Sequence, residues 1–365
     1  MRALNGAGYP TYFVGGCVRN ALMGLPITDV DLATAALPDA VGKTARGLGF
    51  GVIPTGVDHG TVTVLAGGTS YEITTFRRDI AHDGRRAQVA FSQSLADDAA
   101  RRDFTINALY ADVDGAVIDP LGGLADIALR RVVFVGAPAA RITEDYLRIL
   151  RYFRFHAIYA SPDHGFDAEA LAACAAHAPE ISQLSRERIG QEMRKLLGAP
   201  DPAPAVAAMA AAGVLAHVLP HCDARFLAPL VHLEAGQPLP WLARLAILGG
   251  EDAGAALRLS RREAADLRAI CAGLGSALSP AALGYMHGAG LAACIVHGRA
   301  ALFGTDLPRG WQGDVARGAA AVCPVSAADF MPALQGPALG AALERAVQAW
   351  LASDLRASKA DVLKS

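Results

Sequence analysis

Residues 12–34, reading YFVGGCVRNALMGLPITDVDLAT, constrain the fold more than any other part of the chain. The apolar run Tyr12-Phe13-Val14 reads as a strand that stops at Gly15-Gly16, residues 18–23 as a short helix, and Gly24-Leu25-Pro26 as a turn. A glycine turn running into a helix presents backbone N–H groups to an anion. The chain then re-enters an extended run in which Val30 alone separates Asp29 from Asp31, and in a strand residues i and i+2 share a face. Two carboxylates converging beside a phosphate-cradling turn can hold Mg²⁺ against a nucleoside triphosphate. The stretch therefore predicts the centre of a nucleotidyl transferase, with Asp29 and Asp31 as catalytic metal ligands.

Short alternating runs rich in Val, Ile, Thr and Gly over 1–135 predict strands at 12–14, 30–33, 52–54, 61–65, 70–75 and 116–119. Helices are predicted at 18–23, 38–48 and 104–111, so this part is an α+β or α/β domain. From about Arg141 the strand signal fades, and Ala, Leu, Glu and Arg recur at helical spacing. The segment GAPDPAP at 198–204 interrupts that pattern, because proline fixes φ and removes a backbone donor, and it predicts a boundary.

Composition narrows the surroundings. With 53% hydrophobic and 19% charged residues in 365, the chain can bury two or three domains' worth of core. A net charge of −2 gives no global attraction to nucleic acid, so any RNA surface must be a local concentration of Arg and Lys. The six cysteines form no C-x-x-C pair and predict free thiols in a reducing compartment. The start, MRALNGAGYP, has no secretory pattern, and the Ala/Leu tracts are interrupted short of the ~20 residues of a membrane span. The expectation is a cytoplasmic protein with no membrane contact.

Further groups bear on chemistry. Glu72, flanked by apolar residues in YEITT, reads as a third carboxylate that completes a metal site or accepts a hydroxyl proton, or else as a solvent-facing strand residue. Residues 77–100 are polar and predict a mobile loop bearing Arg77, Arg78, Arg85 and Arg86. Its His82-Asp83 dyad lacks upstream helical histidines and is not read as an HD phosphohydrolase centre. In RRDFTINAL, Asp103 reads as the N-cap of a helix, with Arg101 and Arg102 aimed at phosphate or ribose oxygens. DPLGGLAD at 119–126 reads as a hinge.

A helix predicted over 142–157 carries Tyr146, Leu150, Phe153 and Ala157 as its buried stripe. On another face stand Asp145, Arg148, Arg151 and Phe155, which read as a salt-bridged surface or as something sharper. Cytosine and adenine both present an amino donor beside an unprotonated ring nitrogen, whereas uracil and guanine present a carbonyl beside a ring N–H. A carboxylate and a guanidinium one helical turn apart, as in Asp145 and Arg148, admit the first pair and mispair with the second. Each unmatched desolvated group costs roughly 1–3 kcal/mol, enough to discriminate without a template.

GGCVRN…DVD, YEITTFRRD, RRDFTINAL, DPLGGLAD, EDYLRILRYFRF and LSRERIGQEMRKLL, in this order over roughly residues 1–200, resemble the bacterial class II tRNA nucleotidyltransferase/poly(A) polymerase family. The resemblance implies an α+β fold: a nucleotidyltransferase palm of small mixed sheet and helices over 1–135, a helical neck over 136–200, and an all-helical body and tail over 201–365 that bind tRNA. It implies Mg²⁺ on Asp29 and Asp31, with CTP and ATP as substrates. Gly15, Gly16 and Arg19 would contact the triphosphate, Arg102, Asp103 and Asn107 would lie near ribose and phosphates, and Asp145, Arg148 and Arg151 would face the base. Arg186-Glu187-Arg188-Ile189 resembles the neck motif, or is an ordinary charged helix. The family has Asp where this chain has Asn20, which predicts weaker electrostatic support for a neighbouring cation.

Within the family, GVDHGTVTV at 56–64 looks like the CCA-adding pattern, and no Gly-Arg-Arg-Phe-like run of poly(A) polymerases occurs. The full-length segment at 77–100 argues against a CC-only enzyme. CCA addition is the expectation; poly(A) synthesis or partial addition is the alternative. Beyond residue 205, His217 and His221-Cys222 are separated by Pro220 and lack a fourth ligand, so zinc is not expected. Arg244, Arg258, Arg261, Arg262 and Arg268 are candidates for a tRNA-facing surface, or ordinary solvated charges. No protein partner is implied.

Overall fold

A computed structural model describes residues 1–82 and 87–364. Among these, no strand follows Ile118, and helices carry the rest of the chain. The strands are β1 (Thr11–Val14), β2 (Asp31–Thr34), β3 (Gly51–Gly56), β4 (Thr61–Ala66), β5 (Thr69–Thr75), β6 (Arg77–His82), β7 (Ala87–Phe91), β8 (Tyr110–Ala111) and β9 (Val117–Ile118). Seven form one sheet in the order β3-β4-β5-β2-β1-β8-β9, and β6 pairs with β7 separately. Within the large sheet only β2 and β5 run parallel, so it is mixed, as the α+β reading requires.

The pleat explains the register. Leu32 joins Val62, Val64 and Ile73 on one face, under α1 (Arg2–Gly6) and α3 (Pro38–Gly47), which supply Leu4, Val41 and Ala45. Ala33 points the other way, into a cluster with Val14, Phe76, Ala99, Ala108, Tyr110 and Val135. Fully burying an aliphatic side chain of this size stabilises by roughly 1.5–3 kcal/mol, so a one-residue slip of β2 is strongly opposed. Asp31 shares the Ala33 face at the start of β2. The remaining palm helices are α2 (Gly16–Leu22), α4 (Leu95–Ala100) and α5 (Gly123–Ala128).

Three expectations are corrected. Residues 104–111 do not form a helix: Thr105–Asn107 is one 3₁₀ turn, followed by β8. Asp103 draws the turn tight, its Oδ1 accepting from the Phe104 N–H and from Asn107 Nδ2, and every residue from Phe104 to Tyr110 is buried, so no helical stripe exists. Gly123 packs on this turn so closely that a Cβ would stand 2.3 Å from the Thr105 carbonyl oxygen.

Residues 77–100 are not a structureless loop. Arg77 faces Phe91 and Arg78 faces Ala90 across an antiparallel ladder, whose backbone hydrogen bonds need no apolar alternation, and Ser94 then caps α4. Asp83, Gly84, Arg85 and Arg86 lie outside the described residues, as do the side chains of Asp79 to His82 and Ala87 to Val89.

The helix expected over 142–157 is two: α6 (Pro138–Glu144) and α7 (Leu147–Tyr159). Asp145 is extended (φ −156°, ψ 105°), and its Oδ1 accepts from the Leu147 N–H, so a short polar side chain has competed with the helix for backbone donors. Leu150 and Phe153 are buried as expected, but Leu147, Ile149, Tyr152, Phe155 and Tyr159 are too, while Tyr146 and Ala157 are only half-buried.

After α7 come α8 (Ala168–Ala176), α9 (Arg186–Leu197), α10 (Ala203–Ala211), α11 (Val214–Val218), α12 (Leu227–Leu233), α13 (Trp241–Leu248), α14 (Ala253–Ala256), α15 (Arg261–Leu274), α16 (Pro280–Phe303), α17 (Trp311–Ala319), α18 (Gly336–Ala352) and α19 (Lys359–Val362). Two compact units result, one of residues 1–192 with 208–217 and one of 193–207 with 218–365. Among the described residues no helix is long and apolar enough to cross a membrane, and all six cysteines are free.

Candidate active site

β1 ends at Val14, and Gly15 turns the chain into α2 with φ +70° and ψ −120°, a conformation that L side chains rarely adopt. A Cβ there would also stand 3.4 Å from Arg102 Nη1 and 3.6 Å from the Asn107 carbonyl oxygen. The glycine turn therefore lies against the second arginine of RRDFTINAL, a segment nearly ninety residues away in sequence.

On the neighbouring strand, Asp31 is half-buried and in register with Glu72 of β5, which is exposed. Burial pushes the Asp31 carboxyl up, Glu72 and Asp29 push it further, and Arg102 opposes them. Asp29 lies just before the strand rather than in it; it is exposed, and its Oδ2 accepts from the Thr28 hydroxyl at 3.1 Å. The expectation that Asp29 and Asp31 lie in one strand is thus corrected, although their charges still meet.

Among the described residues no three His, Cys, Asp or Glu side chains gather closely enough to hold a metal by themselves. Mg²⁺ commonly takes one or two carboxylates and completes its shell with water and substrate phosphate. A carboxyl destabilised as an anion by two like charges fits such a cation, which would remove the repulsion.

The arginines are already engaged. Arg19 is buried, Nη1 donating to Asn107 Oδ1 and Nη2 donating to the Tyr159 hydroxyl at 2.7 Å, with its guanidinium 4.0 Å from the Tyr159 ring centroid. Asn20 Oδ1 accepts from Arg19 Nε and Nη2, while its Nδ2 donates to the Pro26 carbonyl at 2.8 Å. A carboxylate could not make the last bond, so Asn20 joins Arg19 to the turn that leads to Asp29.

Asn107 in turn donates to Asp103 Oδ1, and Arg151 grips Asp103 Oδ2 through Nε and Nη2. Arg151 offsets the burial of Asp103 and, with these hydrogen bonds, holds its carboxyl down at about 2. Asp103 and Asn107 are therefore internal braces between the sheet and α7, not free groups lining open space. Arg154, buried beside them, pairs with Glu192 of α9.

Asp145, Arg148 and Arg151 do not gather on one face. Asp145 Oδ2 accepts from Arg188 Nη2 at 2.7 Å; Arg148 donates to Glu144 and to the carbonyls of Arg141 and Arg101; Arg151 is held by Asp103. Nothing local in the sequence marks Tyr159 or Glu192, and Arg188 stands out there only as part of the neck motif at 186–189, because the partner of each is recruited from another helix. Asp98 escaped the sequence reading too, although its i+3 and i+4 spacing to Arg101 and Arg102 was a signal.

A mixed sheet with an acidic pair beside a glycine turn, and arginines bracing it to a following helix, defines a nucleotidyltransferase-type palm. The pattern described as "Poly A polymerase head domain" matches residues 11–133, and "Probable RNA and SrmB- binding site of polymerase A" matches 165–226. A CCA-adding enzyme of Bacillus stearothermophilus, solved in complex with CTP, is 30% identical with a TM-score of 0.75, the match covering 100% of this chain and 94% of that one. The chain belongs to the poly(A) polymerase head-domain family that contains the CCA-adding enzymes.

Curated relatives include a CCA-adding enzyme of Streptococcus pyogenes serotype M2, 45% identical over 207 residues (56% of this chain, 50% of the relative). Another, from Geobacillus thermodenitrificans, is 40% identical over 249 residues (67% and 58%). The chain thus spans about half the length of the curated relatives it matches.

Proposed function

We propose that the protein is a template-independent CCA-adding tRNA nucleotidyltransferase, adding C, C and A to the tRNA 3′ end from CTP and ATP with release of pyrophosphate. One observation supports this above all: the whole chain aligns on a CCA-adding enzyme whose structure holds CTP. Residues 1–135 serve as palm, 136–200 as neck, and 201–365 as body and tail that bind tRNA. The tRNA pool places this work in the cytoplasm.

Asp29 and Asp31 would hold Mg²⁺, which when bound would lower the pKa of the RNA 3′-hydroxyl and offset charge on the departing pyrophosphate. Glu72, in register with Asp31, supplies a further carboxylate at the same spot and accepts the proton of the attacking hydroxyl. Gly15 and Gly16 offer backbone N–H groups, and Arg102 a guanidinium edge, to the triphosphate. Arg19, Asp103 and Asn107 hold these parts to α7. Asp145 and Arg148 select the base, Asp145 accepting from the amino group and Arg148 donating to the ring nitrogen, with Arg151 beside them. For that, Arg188 must yield Asp145 and Glu144 must share Arg148.

Purified protein incubated with Mg²⁺, single nucleotides, and tRNA transcripts lacking CCA, CA or A tests the reading. Addition of C, C and A followed by a stop is expected. Open-ended A addition would instead identify a poly(A) polymerase, and a stop after CC or addition of A alone a partial enzyme.

A further inference from the structure

Asp98 is a carboxylate to which the reading above gives no role. It lies on α4, is 1% exposed, and carries three donors: Arg101 Nε at 3.0 Å, Arg102 Nη2 at 2.7 Å and the Tyr110 hydroxyl at 2.8 Å. Tyr110, itself fully buried on β8, also accepts from Arg102 Nε at 3.0 Å, and the guanidinium stands 5.3 Å from its ring centroid. Two of the three nitrogens of Arg102 are therefore bound within the protein. The third, Nη1, has no hydrogen-bond partner among the described residues and lies over Gly15, 3.4 Å from where a Cβ would be. Gly15 follows β1, which pairs with β2 through Phe13 and Leu32, so the open edge lies against the glycine turn beside the strand that Asp31 begins.

We propose that Asp98 and Tyr110 are positioning residues that lock Arg102 so that its Nη1 edge meets the triphosphate of the incoming nucleotide at the Gly15–Gly16 turn. The inference rests on the nucleotidyltransferase reading. An arginine tethered at two nitrogens loses little side-chain freedom on binding and presents one fixed donor edge. Asp98 stays ionised because Arg102, Arg101 and the Tyr110 hydroxyl offset its burial. The group it aims at is phosphate, common to CTP and ATP, so the effect must be blind to the base.

The test is calorimetric binding of CTP, ATP and inorganic tripolyphosphate to the full chain without tRNA, comparing wild type with Asp98→Asn, Tyr110→Phe, Arg102→Ala and the Asp98→Asn/Arg102→Ala double variant. Asp98→Asn should weaken all three ligands by a common factor of about ten or more, Tyr110→Phe by a smaller common factor, and the double variant no more than Arg102→Ala alone. In the transfer assay the same factor should fall on KM, with the preference between C and A unchanged. Unequal effects on CTP and ATP, additive losses in the double variant, or lower melting temperature with unchanged tripolyphosphate affinity would each overturn the proposal. Should Asp98→Asn not fold, Tyr110→Phe removes only a hydroxyl and decides alone. A wild type that binds tripolyphosphate but fails to build CCA overturns the activity reading and leaves this one standing.

Discussion

Asp103 shows how one side chain can serve stability through a site. Its ordinary carboxyl value of 3.8 is held down to about 2 by Arg151, Asn107 and the Phe104 N–H. A carboxyl whose folded value is depressed contributes stability above its unfolded value, and loses it as pH falls toward the folded one. A depression of just under two units corresponds to roughly 2.5 kcal/mol at neutral pH. Asp103→Asn is therefore expected to lower the urea midpoint at pH 7, with the gap to wild type closing between pH 4 and pH 2. A gap that persists unchanged at pH 2 would contradict this. Asp31 has the opposite sign, because burial and two neighbouring carboxylates raise it. Its charge opposes folding once pH exceeds the raised value, so Asp31→Asn in chelator should melt at a higher temperature than wild type while losing all transfer. A lower melting point would show that the crowding is not what burdens this position.

At the scale of elements, the break between α6 and α7 decides what the motif EDYLR can do. A continuous helix would have set Asp145 and Arg148 one turn apart; instead Asp145 is extended and reaches Arg188, while Arg148 reaches Glu144. The groups proposed to select the base thus begin in internal ion pairs. Asp145→Ala should blur the preference for C and A over U and G, measured by single-nucleotide incorporation, by roughly ten- to a hundredfold if one polar match of 1–3 kcal/mol is lost. Clean retention of base choice would refute the assignment. The hairpin β6–β7 and the turn at Thr105–Asn107 carry the same lesson. Backbone pairing and a side-chain carboxylate set their shapes, and neither leaves an apolar period to read.

At the scale of the whole molecule, the second, helical unit closes on polar groups as well as on apolar ones. Arg244, which sequence alone offers as a tRNA contact, is 0% exposed. It pairs with Glu234 through Nε and Nη2 and donates to the carbonyls of Leu197, Ala199 and Pro200, fastening the proline-rich segment after α9 within the second unit. Removing one partner of such a pair leaves a buried charge and costs about 3–5 kcal/mol. Arg244→Ala should accordingly lower the denaturation midpoint sharply and leave tRNA affinity of the remaining folded protein unchanged. A selective loss of tRNA affinity at full stability would restore the surface reading.

What the sequence determined by itself was local and covalent in reach: the strand, Gly15-Gly16, helix, Asp29 and Asp31 in succession, the alternation that places Leu32 and Ala33 on opposite faces, and the stop at GAPDPAP. These follow from backbone freedom and pleat, which neighbouring residues settle among themselves. Only the tertiary structure decided which charges distant in sequence meet: Glu72 beside Asp31, Arg151 on Asp103 and Arg188 on Asp145. An ion pair depends on distance in space, and burial decides its strength, so its partner cannot be read from spacing along the chain.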